Sequence, residues 1–386
     1  MPAAVVCNLG LLFVFKYLTF TLENLNLAGL NTPVPVIGLP IGISFFTFQA
    51  LSYVLDVAMG TAQVQRNPLW LGLYISLFPQ LIAGPIVKYS TVADEIEGRR
   101  ETWADFSSGC CRFIVGLGKK VLLSNQLAVV ADAAWDTPIG DLSAALAWLG
   151  ALCYTLQIYY DFSGYSDMAI GLGKLFGFHF LDNFNYPYLS RSVTEFWRRW
   201  HISLSTWFRE YLYIPLGGNR CSKGRWMFNL FVVWAATGIW HGASWNYLIW
   251  GLYFFALLMV EKFFLLDALK KAPALVGHVY TMFFVLVSWA IFGIEDASRL
   301  GGYLKVMFGL GGAPLADGTL GYYFISYLPI LALAALSSTP LGAKLYHRLP
   351  QRAAQVTGAA AIIAGLLVCT AYLVDGTYNP FLYFRF

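Results

Sequence analysis

Two histidines, His201 in EFWRRWHISLSTWFREYLY and His241 in ATGIWHGASWNYLIWG, stand among tryptophans inside apolar, membrane-length sequence. An ionisable ring there is costly unless it lines a cavity or finds partners, so a functional reading comes first. A desolvated, neutral imidazole can accept a proton from a hydroxyl, provided a neighbour fixes which nitrogen carries the hydrogen. Helical spacing puts Thr237, Ser244 and Trp245 on the His241 face, Thr237 or Ser244 being the candidates for that task, and Trp240 is counted with Thr237 and Ser244 among the tunnel or polar-network residues. A third polar group, Asp161, Ser163, Ser166 and Asp167 in YYDFSGYSDMAIGLG, needs partners at such depth and reads as a buried network or the wall of an aqueous cavity. Gly164-Tyr165-Ser166-Asp167-Met168 lacks the second glycine of a nucleophile elbow, which excludes a serine-hydrolase reading.

The elements that must hold these residues follow from composition. The 386 residues are 58% hydrophobic, 17% aromatic and only 12% charged, roughly half the charge density of a soluble domain. The expectation is an all-α, polytopic membrane bundle, with apolar spans near 3–20, 36–58, 68–88, 108–132, 143–160, 162–181, 226–243, 245–266, 276–294, 320–338 and 355–374. That makes about ten or eleven membrane segments, some of them re-entrant. No cleavable leader is read before VVCNLGLLFVFKYLTF, so the first span is expected to be retained. The six cysteines form no C-x-x-C pair, and neither a metal site nor a disulfide framework is expected.

Charge is concentrated between Arg191 and Arg225, where Arg191, Arg198, Arg199, Arg209, Arg220, Lys223 and Arg225 face only Glu195 and Glu210. With Lys262, Lys270, Lys271, Lys344, Arg348 and Arg352 this region is assigned to the cytoplasmic side. Residues 190–225 are expected to form a basic, aromatic, re-entrant or interfacial segment within a single domain, 1–386. Ser192-Val-Thr-Glu195 has capping-box spacing, which predicts one helix from Val193 to the Pro215, Gly217, Gly218 stop, with Trp197, His201, Leu204, Ser205 and Phe208 on a shared face. Ala169, Gly173 and Gly177 recur every four residues, a pattern that predicts close helix packing. The cations Arg220, Lys223 and Arg225 suit anionic groups, whether donor phosphates or lipid headgroups, and no nucleic-acid partner is expected.

LPIGISFFTFQALSYVLDV (39–57), LFPQLIAGPIVKY (77–89), YYDFSGYSDMAIGLGKLFGF (159–178), NFNYPYLSRSVTEFWRRWHISLSTWFREYLYIPLGGNR (183–220), GIWHGASWNYLIWGLY (238–253) and NPFLYFRF (379–386) closely resemble the membrane-bound O-acyltransferase family, in particular its polysaccharide-acetylating branch. The resemblance implies a helical bundle around a funnel or tunnel in the bacterial inner membrane. It further implies a cytoplasmic acetyl-coenzyme A donor, His241 as the catalytic residue and His201 as a second functional residue. Arg198, Arg199 and Trp200 match the same motif as lining and charge at the donor site. Periplasmic SGNH-type partners and an exported polysaccharide such as alginate are implied as acceptors, either the sugar or a partner residue taking the acetyl group directly. Peptidoglycan acetylation is the alternative within the same chemistry, and a transporter or scaffold of an export complex is the alternative outside it. Relatives carry further apolar segments before the VVCNLGLLFVFKY-like stretch, so this chain is expected to lack the family's most N-terminal helices.

Overall fold

A computed structural model describes residues 2–376 together with 381–382. Met1 and most of the NPFLYFRF motif, 377–380 and 383–386, lie outside the described residues. The chain is 75% helix, with no strand among the described residues. Six helices there are long and apolar enough to cross a membrane: α1 Pro2–Leu27, α3 Trp103–Asp136, α8 Trp245–Lys271, α9 Ala274–Gly293, α11 Gly318–Ser337 and α12 Gln351–Asp375. Between them stand α2 Ile43–Met59, α4 Ala144–Leu175, α5 Val193–Arg199, α6 Ile202–Phe208, α7 Lys223–His241 and α10 Ala297–Met307.

Four expectations are corrected. Residues 143–160 and 162–181 are one helix, α4, because nothing between them breaks the chain. Its 32 residues reach about 48 Å, more than the hydrocarbon thickness of a bilayer. The expected span at 68–88 is instead two short helices, Pro68–Ser76 and Phe78–Leu81, each opened by a proline in its first turn. The expected span at 36–58 begins only at Ile43, after a loop that ends on Gly42 at φ 78°.

The fourth correction concerns the basic segment. The Ser192 cap forms as predicted, its Oγ accepting from Glu195 N at 3.0 Å, and Arg199 pairs with Glu195 one turn away at 2.9 Å. The helix nevertheless stops at Arg199 and restarts at Ile202, with His201 between them in the left-handed region at φ 44°, ψ 56°. Residues of the preceding loop take the freed backbone groups, Asn185 N donating to Arg199 O at 2.9 Å and Ile202 N to Asn183 O at 3.0 Å. His201 therefore does not share a continuous helical face with Trp197 and Phe208.

α4 is the axis of the bundle and packs against α3, α9, α10 and α11. Along α3 and α4 glycine meets glycine: a Cβ at Gly109 or Gly116 would strike the carbonyl of Gly171 or Gly164. The close approach thus uses Gly164 and Gly171 rather than the predicted Ala169, Gly173 and Gly177. Gly177 lies past the end of α4 at φ 75°, where Phe178 N returns to Gly173 O and closes the helix. α7 and α8 form a second tight antiparallel pair, Gly238 against Tyr247 and Gly251 against Trp234.

Three membrane helices contain a π turn: Phe13–Tyr17 in α1, Lys119–Ser124 in α3 and Glu261–Leu265 in α8. Each carries a buried charged residue, Lys16, Lys120 or Glu261. An inserted residue frees backbone and rotates the side chain inward, and such turns gather at functional places.

Candidate functional site

His201 is 1% exposed and His241 5% exposed, and both rings lie in ring contact with Trp240, at centroid distances of 6.0 and 5.1 Å. His201 also meets the Phe162 ring edge-on at 4.6 Å. His241 meets Trp250 and Phe292 edge-on at 5.0 and 5.2 Å. The two histidines, forty positions apart in sequence, thus belong to one aromatic cluster.

The break at His201 gives its ring a specific partner. Asn183 Oδ1 lies 3.2 Å from His201 Nδ1 and also accepts from Ser203 N at 3.1 Å and Ser203 Oγ at 2.9 Å. His201 Nε2 makes no hydrogen bond among the described residues. A left-handed histidine costs on the order of 1–3 kcal/mol, and such strain persists where surrounding contacts enforce it. Here Asn183 enforces it from both sides, through its backbone carbonyl on Ile202 N and its side chain on the ring.

His241 is the last residue of α7, with Gly242 already extended. Ser244 and Trp245 therefore do not follow it on a helical face, contrary to expectation. Thr237 Oγ1 donates to Val233 O at 2.7 Å, and Ser244 is the residue before α8. The helix end is instead held by Lys16, whose Nζ donates to Trp240 O at 2.7 Å, His241 O at 3.1 Å and Ser44 Oγ at 2.9 Å. A basic side chain satisfying the last carbonyls is a favourable C-terminal cap. Trp240 Nε1 adds a bond to Ser44 O at 3.4 Å.

A cavity of about 760 Å³ opens between α3, α4, the 182–186 loop and the end of α11; Asn183, the partner of the His201 ring, lines it, while neither histidine nor Trp240 is among its described lining residues. Ser163 and Asp167 line it, together with Ser166, Asn183, Arg112 and Lys119. Asp167 receives Arg112 Nη2 at 2.8 Å and Lys119 Nζ at 2.6 Å, while Arg112 also pairs with Asp182. Ser163 Oγ and Ser166 Oγ are buried and make no hydrogen bond among the described residues, so this wall suits a polar guest. Asp161 forms a different structure: it is 1% exposed and paired with Lys120, and it accepts from Leu382 N at 2.9 Å.

The remaining candidates lie apart from the cavity lining. Trp200 is buried against Phe184 and Trp289 at 5.0 and 4.9 Å, a packing role. Arg199 is held by Glu195 and Asn185 O. Arg198, Arg220, Lys223 and Arg225 are exposed, with Arg225 reaching back to Leu216 O at 3.4 Å. His179 lies beyond α4 in a surface cluster, where hydrogen bonds donated by its ring to the carboxylates of Glu95 and then Asp105 hold its pKa above the ordinary 6.5. Sequence reasoning missed Lys16, Asn183, Arg112 and Lys119. The first lies in an apolar span, and the cations of α3 look like an interfacial pair until the fold turns them on Asp167.

The sequence model of the membrane-bound O-acyltransferase family, MBOAT, matches residues 62–294, which include both histidines, Asn183 and all cavity residues on α3 and α4. Among curated relatives, a probable alginate O-acetylase AlgI of Azotobacter vinelandii is 37% identical over 423 residues, covering 100% of this chain and 84% of that protein. A second of that name from Pseudomonas putida is 38% identical, covering 98% and 82% of the two chains. A peptidoglycan O-acetyltransferase of Helicobacter pylori is 36% identical, covering 80% and 64%.

Proposed function

Given that the chain belongs to the membrane-bound O-acyltransferase family, a multi-pass membrane enzyme of O-acyl transfer, we propose that it moves acetyl groups from a cytoplasmic thioester, acetyl-coenzyme A, to an exported polysaccharide of the alginate class. The observation that carries this reading is the joining of two buried histidines through Trp240, with Asn183 linking His201 to a cavity of about 760 Å³ that has Ser163, Ser166, Asp167, Arg112 and Lys119 on its wall. The thioester reaches the His201 side through that cavity, and the acceptor hydroxyl approaches from the His241 side.

In the transfer the hydroxyl oxygen attacks the thioester carbonyl carbon, an ester C–O bond forms and the C–S bond breaks. The hydroxyl proton passes to an imidazole and from there to the departing thiolate, so the products are ester and thiol. We assign the hydroxyl proton to His241; His201 either orients the thioester or shares the proton. Such proton transfer is worth about 10²–10⁴-fold in rate. The attacking hydroxyl belongs to the sugar or to a periplasmic SGNH-type partner that passes the group on. Arg112 and Lys119 at the cavity, with the exposed Arg198, Arg220, Lys223 and Arg225, supply cations for the donor's phosphates.

Support for an alginate-like acceptor comes from the names of the two AlgI relatives, and for a bacterial inner membrane from the same resemblance. The acceptor is tested in host cells lacking this gene and complemented with wild type or His241→Ala. Wild type restores acetyl groups to the exported polysaccharide and the variant, at equal abundance, restores none. Acetyl groups returning to peptidoglycan while the polysaccharide stays bare would overturn the acceptor.

A further inference from the structure

The Asn183 side chain resolves the role of His201. Its Oδ1 faces the backbone N–H of Ser203 at 3.1 Å, and a backbone amide can only donate, which assigns that atom as oxygen. His201 Nδ1 lies 3.2 Å from the same oxygen. A lone pair on Nδ1 would oppose a lone pair on Oδ1, whereas an Nδ1–H satisfies both. Rotating the amide would set its NH₂ against the Ser203 N–H, with two donors in conflict and no acceptor. Ser203 Oγ reinforces the assignment, donating to Oδ1 at 2.9 Å while accepting from Ile86 N at 3.0 Å.

The neutral ring with hydrogen on Nδ1 has its lone pair on Nε2, the nitrogen that makes no hydrogen bond among the described residues. That form cannot donate to a thioester carbonyl through Nε2; it can take a proton there. Of the two roles left to His201, orienting the thioester and sharing the proton, the hydrogen bonds retain the second. The carbonyl then needs a donor from another group. Asn183 is 1% exposed, lines the cavity, and its Nδ2 has no hydrogen-bond partner among the described residues. A buried amide N–H₂ without a partner carries an uncompensated desolvation cost, and a ligand oxygen in the cavity would relieve it.

We propose, resting on the acyl-transfer reading above, that Asn183 serves the reaction through both ends of its amide. Oδ1 is a positioning group that holds His201 as the Nδ1–H tautomer, with Nε2 as a proton acceptor. Nδ2 donates to the carbonyl oxygen of the bound thioester, where negative charge grows as the hydroxyl oxygen attacks and subsides when the C–S bond breaks. The proton that Nε2 receives leaves again to the thiolate, so the ring returns to its starting form. Ser203 and the left-handed turn at His201 keep the amide and the ring in register.

The test combines a tautomer measurement with kinetics on the full chain in lipid. Solid-state NMR of protein carrying ¹⁵N,¹³C-labelled histidine reads the ring form, with the His201 signals identified by their loss in His201→Gln. Wild type is expected to hold His201 with Nδ1 protonated and Nε2 bare, and Asn183→Ala to lose that preference. Asn183→Asp keeps an acceptor facing Nδ1 and removes the Nδ2 donor. It should retain the Nδ1–H form while its kcat for radiolabelled acetyl-coenzyme A consumption falls at least tenfold, a split that a packing role would not produce. If Asn183→Ala does not fold, the wild-type spectrum and the Asn183→Asp variant still decide. A wild-type His201 protonated on Nε2 overturns the positioning half, and wild-type kcat in Asn183→Asp overturns the donor half. A wild type that shows the Nδ1–H form yet consumes no thioester contradicts the acetyl-coenzyme A reading and leaves the tautomer assignment standing.

Discussion

His201 and His241 differ in how the protein holds them, and that difference suits different tasks. His201 is gripped at the ring by Asn183, while His241 is fixed through its backbone by Lys16 and through its ring by Trp240, Trp250 and Phe292. The cavity's cations can be examined one at a time. Lys119 is bound to Asp167 at 2.6 Å, and a donor phosphate could share it. Lys119→Gln removes one charge-assisted hydrogen bond, worth about 1.5–3 kcal/mol, so the KM for the donor should rise about tenfold or more with kcat little changed. An unchanged KM in steady-state assays would remove Lys119 from the donor site.

At the scale of elements, charged side chains brought in by π turns fix ends of α5 and α7, the helices that lead into His201 and His241. Lys16, from the π turn of α1, caps α7 at His241. Glu261, from the π turn of α8, accepts Val193 N and Thr194 N and so anchors the start of α5. Lys16→Met leaves two buried carbonyls without their donor, at a cost of about 1–3 kcal/mol, and frees the end of α7. Its acetyl transfer should fall more steeply than its thermal stability; a proportionate loss of both would make Lys16 a purely structural cap.

Much of the element layout was legible locally: the Ser192 cap, the Glu195–Arg199 pair, the apolar spans at 245–266, 276–294, 320–338 and 355–374, and the polar wall at Ser163 and Asp167. The break at His201 was not, because EFWRRWHISLSTWF keeps helical periodicity and the competing bonds come from Asn183 and Asn185 in the preceding loop. Lys16 was equally hidden, its partners lying 224 and 225 residues away. Local periodicity reports burial and cannot report which distant backbone group a side chain will satisfy.

For the molecule as a whole, the order of the helices sorts the charges. If α7, a span expected from sequence but not one of the six apolar helices above, crosses in turn with α8, α9, α11 and α12, the start of α7, the Lys270–Lys271 end of α8 and the Lys344–Arg352 connection all fall on one face. That face is the one assigned to the cytoplasm, and the cavity reaches it through Thr339, Gly342 and Ala343. Cys221, exposed in the basic turn before α7, offers a direct check. In a variant retaining only this cysteine, a membrane-impermeant maleimide should label inverted vesicles and spare right-side-out ones; the reverse pattern would invert the assigned orientation. The central claim, acyl transfer from a thioester by the histidine pair, is tested most directly by consumption of radiolabelled acetyl-coenzyme A. The assay compares purified wild type, His241→Ala and His201→Ala in lipid, with the proposed SGNH-type partner added. The account predicts turnover by wild type and a loss of at least about 10²-fold in each variant at unchanged thermal stability. Turnover by His241→Ala at the wild-type rate would contradict it.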